Sequence, residues 1–346
     1  MFVLRPAAHA DLPQIERMAT QSAIGITSLP PDRAKLTEKI ERSIASFSVE
    51  VDVPGEESYF FVLENVETGE LAGTSGIAAS AGFHDRFYSY RNEIIVHASQ
   101  DLKVSNKIHA LHLCHDLTGY SLLTSFFIDP ALADTRLPQL LSRARLLFIA
   151  EHRRRFADKL AAENPGVCDN EGRSPFWDAV GRRFFNMAYP QAERLSGGRS
   201  RTFIAELMPQ YPIYVPLLPP SAQLAIGQLH PDGELPFSIL IDEGFDPDTY
   251  IDIFDGGPTV EARLSTLATL RHQRRAVWRG ESAAAAVDSI AANTALANFR
   301  ATLAPVSHSG RDAGGSTQLA ELLALSPGDA LRHVPVLIER REGSEA

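Results

Sequence analysis

Histidines and a few clustered carboxylates are the groups in this 346-residue chain best placed to move protons or hold charge. His230 lies in Gly227-Gln228-Leu229-His230-Pro231, and histidine is the side-chain type suited to either direction of proton transfer at neutral pH. Residue type and neighbours leave two readings open: proton transfer, or a surface or capping histidine beside a proline. Asp252 and Asp255, with Gly256-Gly257 beside them, form an acidic tight-turn element suited to a cationic ligand. Glu206 and Asp116 are further carboxylates of this kind. Each taken singly is as readily a solvated or capping group, and the glycine pair serves turn geometry. His97, His109, His112 and His115 are spaced twelve, three and three apart, which matches no standard zinc pattern. Cys114 and Cys168 form no CxxC pair and sit in no nucleophile motif, so no zinc site, disulfide framework or covalent intermediate is expected. The run His152-Arg153-Arg154-Arg155 reads as a solvated helix end whose charge complements the helix dipole.

The surrounding composition is that of an ordinary globular protein, with 44% hydrophobic and 22% charged residues. A net charge of −10 argues against nonspecific nucleic-acid binding and against an anionic membrane surface. The opening MFVLRPAAHADLPQ lacks the basic and apolar regions of a signal peptide. No apolar run reaches the ~20 residues needed to span a bilayer. A cytoplasmic protein without a bound metal is expected, and the length suggests two domains.

Several elements must position these groups. Residues 2–5 read as a strand, followed by a helix over 12–21 with Asp11 as N-cap and Gln14 completing a capping box. SYFFVLEN and LAGTSGIAAS read as two strands joined at Thr68-Gly69. Strands are predicted at 91–97 and 122–129, then a helix over 138–151 with Pro138 in its first turn. Ser174-Pro175 opens a helix over 174–185. Further expectations are a strand at 201–209, helices at 221–229 and 235–245, the latter stopped by Gly244, and a strand running into a turn at 250–258. Beyond residue 260 short strands at 274–279, 299–304 and 331–338, and a helix at 317–325, suggest a small β-rich appendage.

Strand, capped helix, β-meander, a central strand ending in Asp-Pro and then a long helix is the order of the GNAT acyl-CoA N-acyltransferase fold. The predicted class is therefore α/β (α+β), with a GNAT-like body over 1–259 and a small, barrel-like β-rich domain over 260–346. Specific words sharpen this. GITSLP (25–30), VHAS (96–99), HDLTG (115–119), SPFWDAVGRRFF (174–185), AELMPQYPIY (205–214), IGQLHP (226–231) and YIDIFDGGPT (250–259) together resemble the arginine N-succinyltransferase family. Residues 106–127 look most like the alpha-type chains of its two-subunit arginine/ornithine members.

The resemblance implies transfer of succinyl from succinyl-CoA, a co-substrate and not a resident cofactor, to the α-amine of L-arginine or L-ornithine in arginine catabolism. It implies a homologous beta subunit in a hetero-oligomer, or a homo-oligomer. His230 matches the family's catalytic histidine, described as a proton donor. Phe126 matches its succinyl-CoA contact, on a strand Thr124-Ser125-Phe126-Phe127 that would pair with pantetheine; a core role is the ordinary fate of such a Phe. Asp252, Asp255 and Glu206 are then candidates for the basic side chain of the substrate. One departure stands out. The loop expected to cradle the pyrophosphate, Ala133-Asp134-Thr135-Arg136-Leu137-Pro138, has no glycine, and only Arg136 remains to pair with an anion. Two other readings therefore stay in view: a non-catalytic structural or regulatory subunit, and a GNAT transferase with another amine acceptor.

Overall fold

The structure is a computed structural model that describes residues 1–21, 29–169, 171–196, 207–282 and 284–337. In chain order the first part comprises β1 (Phe2–Pro6), α1 (Leu12–Gln21), α2 (Arg33–Ser48), β2 (Ser58–Asn65), β3 (Glu70–Ala78), β4 (Ser89–Ser99), β5 (Val104–Cys114), β6 (Ser121–Ile128), α3 (Leu137–Glu151), β7 (Lys159–Glu163), β8 (Ile213–Tyr214), β9 (Asp246–Ile251) and β10 (Pro258–Arg263). These strands form one sheet in the order β1-β2-β3-β6-β7-β10-β9-β4-β5-β8. Every neighbouring pair is antiparallel except β6 and β7, which run parallel.

Five later strands close on themselves: β11 (Arg274–Glu281), β12 (Ala286–Asn293), β13 (Ala301–Ser309), β14 (Asp312–Gly315) and β15 (Ala330–Pro335). β12 pairs with both β15 and β13, β11 with both β14 and β15, and β13 with β14, so no edge is left open. This ring joins the main sheet through Leu4 of β1 opposite Ala301 of β13.

Helix α3 is the central brace. Nearly its whole length is buried, because β3 and β6 cover one side while the helix Glu234–Glu243, the helix Ala268–His272 and the barrel cover the other. Its aromatic Phe148 packs with Phe61, Phe299 and Tyr59 at ring separations of 5.0–5.3 Å. A buried arginine, Arg143, ties these layers together. It pairs with Glu243 at 2.9 Å and donates to the carbonyls of Val336 (2.6 Å) and Pro335 (3.0 Å). Thr269 completes the clasp by donating its N–H (2.7 Å) and hydroxyl (2.6 Å) to Glu243.

Several local expectations are corrected. Asp11 does not build a capping box with Gln14. Its carboxylate takes the Ala8 N–H at 2.8 Å and both outer nitrogens of Arg5, while Gln14 reaches across to Gly69 and Leu71. The 174–185 helix is two short helices, Pro175–Ala179 and Gly181–Phe185, broken at Val180, although Ser174 does cap the first. The helix expected at 221–229 spans Pro220–Ala225. Arg155 is not part of a solvated helix end: it is buried and donates to Ser46, Val49 and Tyr59. The strand expected at 201–209 and the residue Glu206 fall largely or wholly outside the described residues.

Candidate active site

The parallel pair β6–β7 stays in register only at Ser121–Leu160 and Leu122–Ala161, after which the two strands part. A bulge in β6 lies just beyond that point. Thr74 of β3 faces Phe127 and Gly76 faces Thr124, so Ser125 and Phe126 together oppose the single residue Ser75. Ser125 carries the extra length by adopting φ +56°, a left-handed conformation that a side-chain-bearing residue holds only when its surroundings enforce it. The enforcement is visible: Thr74 donates its hydroxyl to the Ser125 carbonyl at 2.8 Å, and Ser125 is buried.

Behind the bulge sits Arg145 of α3, 2% exposed and without a carboxylate partner among the described residues. Its guanidinium donates to Ser142 and, at longer range, to the carbonyls of Gly76 and Thr124, the pair flanking the bulge. It also lies 5.9 Å from the Phe126 ring centroid. Burial pushes its pKa down to about 9, the expected response of a cation removed from water.

The other arm of the opening is β7 and its continuation, Asn164-Pro165-Gly166. His230 is fastened to this segment: its N–H donates to the Pro165 carbonyl at 2.8 Å, and Leu229 bridges Gly166. The imidazole is 19% exposed and accepts the Asp232 N–H on Nδ1 at 3.1 Å. That bond places the proton of the neutral ring on Nε2, leaving it a donor there. The Asp232 carboxylate stands 3.8 Å from Nδ1, a counter-charge for the protonated ring.

Asp252 and Asp255 are brought to the same place, and both accept backbone N–H groups. Asp252 Oδ1 accepts the N–H groups of Phe254 (2.6 Å) and Asp255 (3.1 Å). Asp255 is 4% exposed; its Oδ1 accepts from Gly257 N–H and its Oδ2 from Gly166 N–H, each at 2.8 Å, with the Tyr189 hydroxyl at 3.4 Å from Oδ2. Gly227 N–H donates to the Gly256 carbonyl at 2.8 Å, joining the His230 loop to this turn a second time. Residue type marks the acidic turn and the histidine separately; nothing in residue type marks the Asn164–Gly166 segment that links them.

Arg136 lies elsewhere. It caps α3 and pairs at 2.6 Å with Asp288 on β12 of the barrel. The start of α3 presents few free donors, because the Leu137 N–H is taken by the Thr135 hydroxyl at 3.2 Å and Pro138 has none. Asp116 is held by Arg91 (2.6 Å) and Tyr250 (3.3 Å). His97, His109, His112 and His115 spread along the β4–β5 hairpin and the turn after it, and no group of three metal-ligating residues occurs among the described residues. An open cleft of about 510 Å³ is lined by Val167, Cys168, Arg173, Pro175 and Pro219 but not by His230. No described helix is long and apolar enough to cross a membrane.

Among known proteins, residues 2–269 match the family described as "Arginine N-succinyltransferase beta subunit", and residues 274–335 match its C-terminal domain. The chain is 52% identical over 338 residues to the Pseudomonas aeruginosa protein named "Arginine N-succinyltransferase subunit alpha", covering 97% of this chain and 100% of that one. It is 41% identical over 305 residues to the arginine N-succinyltransferase of Salmonella paratyphi B, covering 88% of each. Its fold superimposes on the solved structure of arginine/ornithine succinyltransferase subunit AI from Pseudomonas aeruginosa with a TM-score of 0.88 and 48% identity, over 98% of this chain and 99% of that chain.

Proposed function

Because the chain belongs to the arginine N-succinyltransferase family, we propose that it moves a succinyl group from succinyl-CoA to the α-amine of L-arginine or L-ornithine, in the cytoplasm and beside a homologous second subunit. The fold is read as GNAT-like. The observation that supports this is the parting of the parallel strands β6 and β7 next to a bulge, which leaves β6 backbone groups open to an extended thioester arm. In this reading Ser125 and Phe126 serve that arm from the β6 side, and His230, fastened to the segment that continues β7, serves it from the other.

The chemistry is direct. The neutral amine attacks the thioester carbonyl carbon, the new C–N bond forms, and the C–S bond breaks. The amine gives up one proton and the departing thiolate takes one up. His230 is the group held to give the departing thiolate its proton from Nε2, with the Asp232 carboxylate beside the ring when it is charged, while the amine's proton leaves to solvent and the ring is reprotonated from solvent. Arg145 adds a buried positive charge behind the bulge. Replacing His230 with alanine in the purified enzyme is expected to lower kcat by about 10²–10⁴-fold. Near-normal turnover overturns the assignment.

One observation favours a second reading. The start of α3 presents few free donors, and Arg136 is paired with Asp288, so this chain holds a pyrophosphate differently from a glycine-rich loop, or leaves that task to its partner. Titrating succinyl-CoA into the chain alone separates the two. Saturable binding supports catalysis by this subunit, and binding only with the second subunit present supports a structural or regulatory role.

A further inference from the structure

We infer that Asp255 is a positioning residue for the reaction, one that acts on His230 through the Asn164–Gly166 segment. The inference rests on the proton-carrying role given above to His230. Five contacts carry it. Asp255 Oδ2 fixes Gly166 N–H and Oδ1 fixes Gly257 N–H, both at 2.8 Å. The Pro165 carbonyl, one residue before Gly166, receives the His230 N–H at 2.8 Å. Gly166 and Leu229 form a bridge on the other side of that bond. Gly227 N–H closes the circuit on the Gly256 carbonyl at 2.8 Å.

The result is a closed loop of bonds: carboxylate 255 to Gly166, Pro165 to His230, and Gly227 back to the Asp255 turn. A buried carboxylate accepting backbone N–H groups makes shorter and stronger bonds than a neutral acceptor. It therefore sets the spacing between β7's end and the 252–257 turn. Packing leaves that spacing no slack. A Cβ on Gly166 would stand 2.7 Å from the Asp255 backbone carbonyl oxygen, and one on Gly233, just after His230, 2.8 Å from the Pro165 ring. The carboxylate accepts from the two backbone N–H groups and stands 3.4 Å from the Tyr189 hydroxyl, and the route these bonds draw toward the imidazole runs through the backbone. Its action is to hold the chain from which the imidazole projects, at the sub-ångström tolerance that proton transfer requires.

The test is a double-mutant cycle in the full-length enzyme as purified, using Asp255→Asn, His230→Ala and the pair, with succinyl-CoA and arginine as substrates. An amide keeps the shape but must place an NH2 against one of the two N–H donors, Gly166 or Gly257. The expected result is a 10- to 100-fold loss of kcat in Asp255→Asn with KM for succinyl-CoA within about threefold of normal, and no additional loss when His230 is already alanine. If the two losses multiply, Asp255 acts independently of His230 and the inference is overturned. Wild-type kcat in Asp255→Asn overturns it as well. If His230→Ala is itself fully active, the proton-carrying reading falls first, which keeps the two failures distinct. Should Asp255→Asn not fold, Asp255→Glu retains the charge while moving both oxygens. The same cycle then applies: a loss that vanishes in the His230→Ala background supports the inference, and a loss that multiplies overturns it.

Discussion

Replacing Gly257 with alanine puts a methyl group where the backbone leaves no room. The new Cβ would lie 2.5 Å from Gly166 N and closer still to the carbonyl oxygen of Asn164. Both are backbone atoms anchored in a strand end, so neither can swing aside as a side-chain tip would. Ordinary carbon contacts are ~3.5 Å or more, so the 252–257 turn and the 164–166 segment must part by roughly 1 Å. Overpacking of this kind costs about 1–3 kcal/mol of stability. The catalytic loss is expected to be larger in consequence, because the Pro165 carbonyl carries His230 with it. A displacement of about 1 Å is worth ~10²-fold in rate, or about 2.7 kcal/mol of barrier. The assay pairs steady-state kinetics, following thiol release from succinyl-CoA, with urea unfolding of the same preparation. A folded Gly257→Ala enzyme turning over within about twofold of the parent would refute the reasoning, since His230 would then tolerate the very shift the contact forces.

Further expectations concern stability and pH. Burial, with His308 and Arg274 adding to it, pushes the His333 imidazole down to about 4. The folded state therefore keeps this ring neutral while the unfolded chain takes up a proton below its ordinary pKa near 6.5. Stability should fall as pH drops from 6.5 toward 4, by up to ~1.4 kcal/mol per pH unit from this residue. Urea unfolding at pH 7 and pH 5 should show a shallower pH dependence in His333→Gln; an identical dependence excludes His333 as the source. Glu243→Ala leaves Arg143 buried without its carboxylate, and removing one partner of such a pair costs about 3–5 kcal/mol. Calorimetry should show a clearly lowered melting temperature, and an unchanged one would mean that the clasp between α3 and the barrel contributes nothing net.

The sequence by itself determined much of the local structure. Apolar, β-branched runs marked β2, β3 and β6, a helical period and an early proline marked α3, and Gly244 at φ +102° ended its helix as expected. It was also enough for the family. It did not reveal β12, whose Ala286–Asn293 segment has no strong alternation and becomes a strand only because β13 and β15 flank it. Tertiary structure alone decided the bulge at Ser125-Phe126, the parting of β6 from β7, and the enclosure of Arg145 behind them. It also placed the Asp255 carboxylate on two backbone N–H groups, which residue type does not reveal. The physical reason is one of range. Side-chain type and spacing fix what a short segment prefers, whereas register, close approach and the partner of a buried charge are set by residues as distant as Gly166 and Asp255, 89 positions apart.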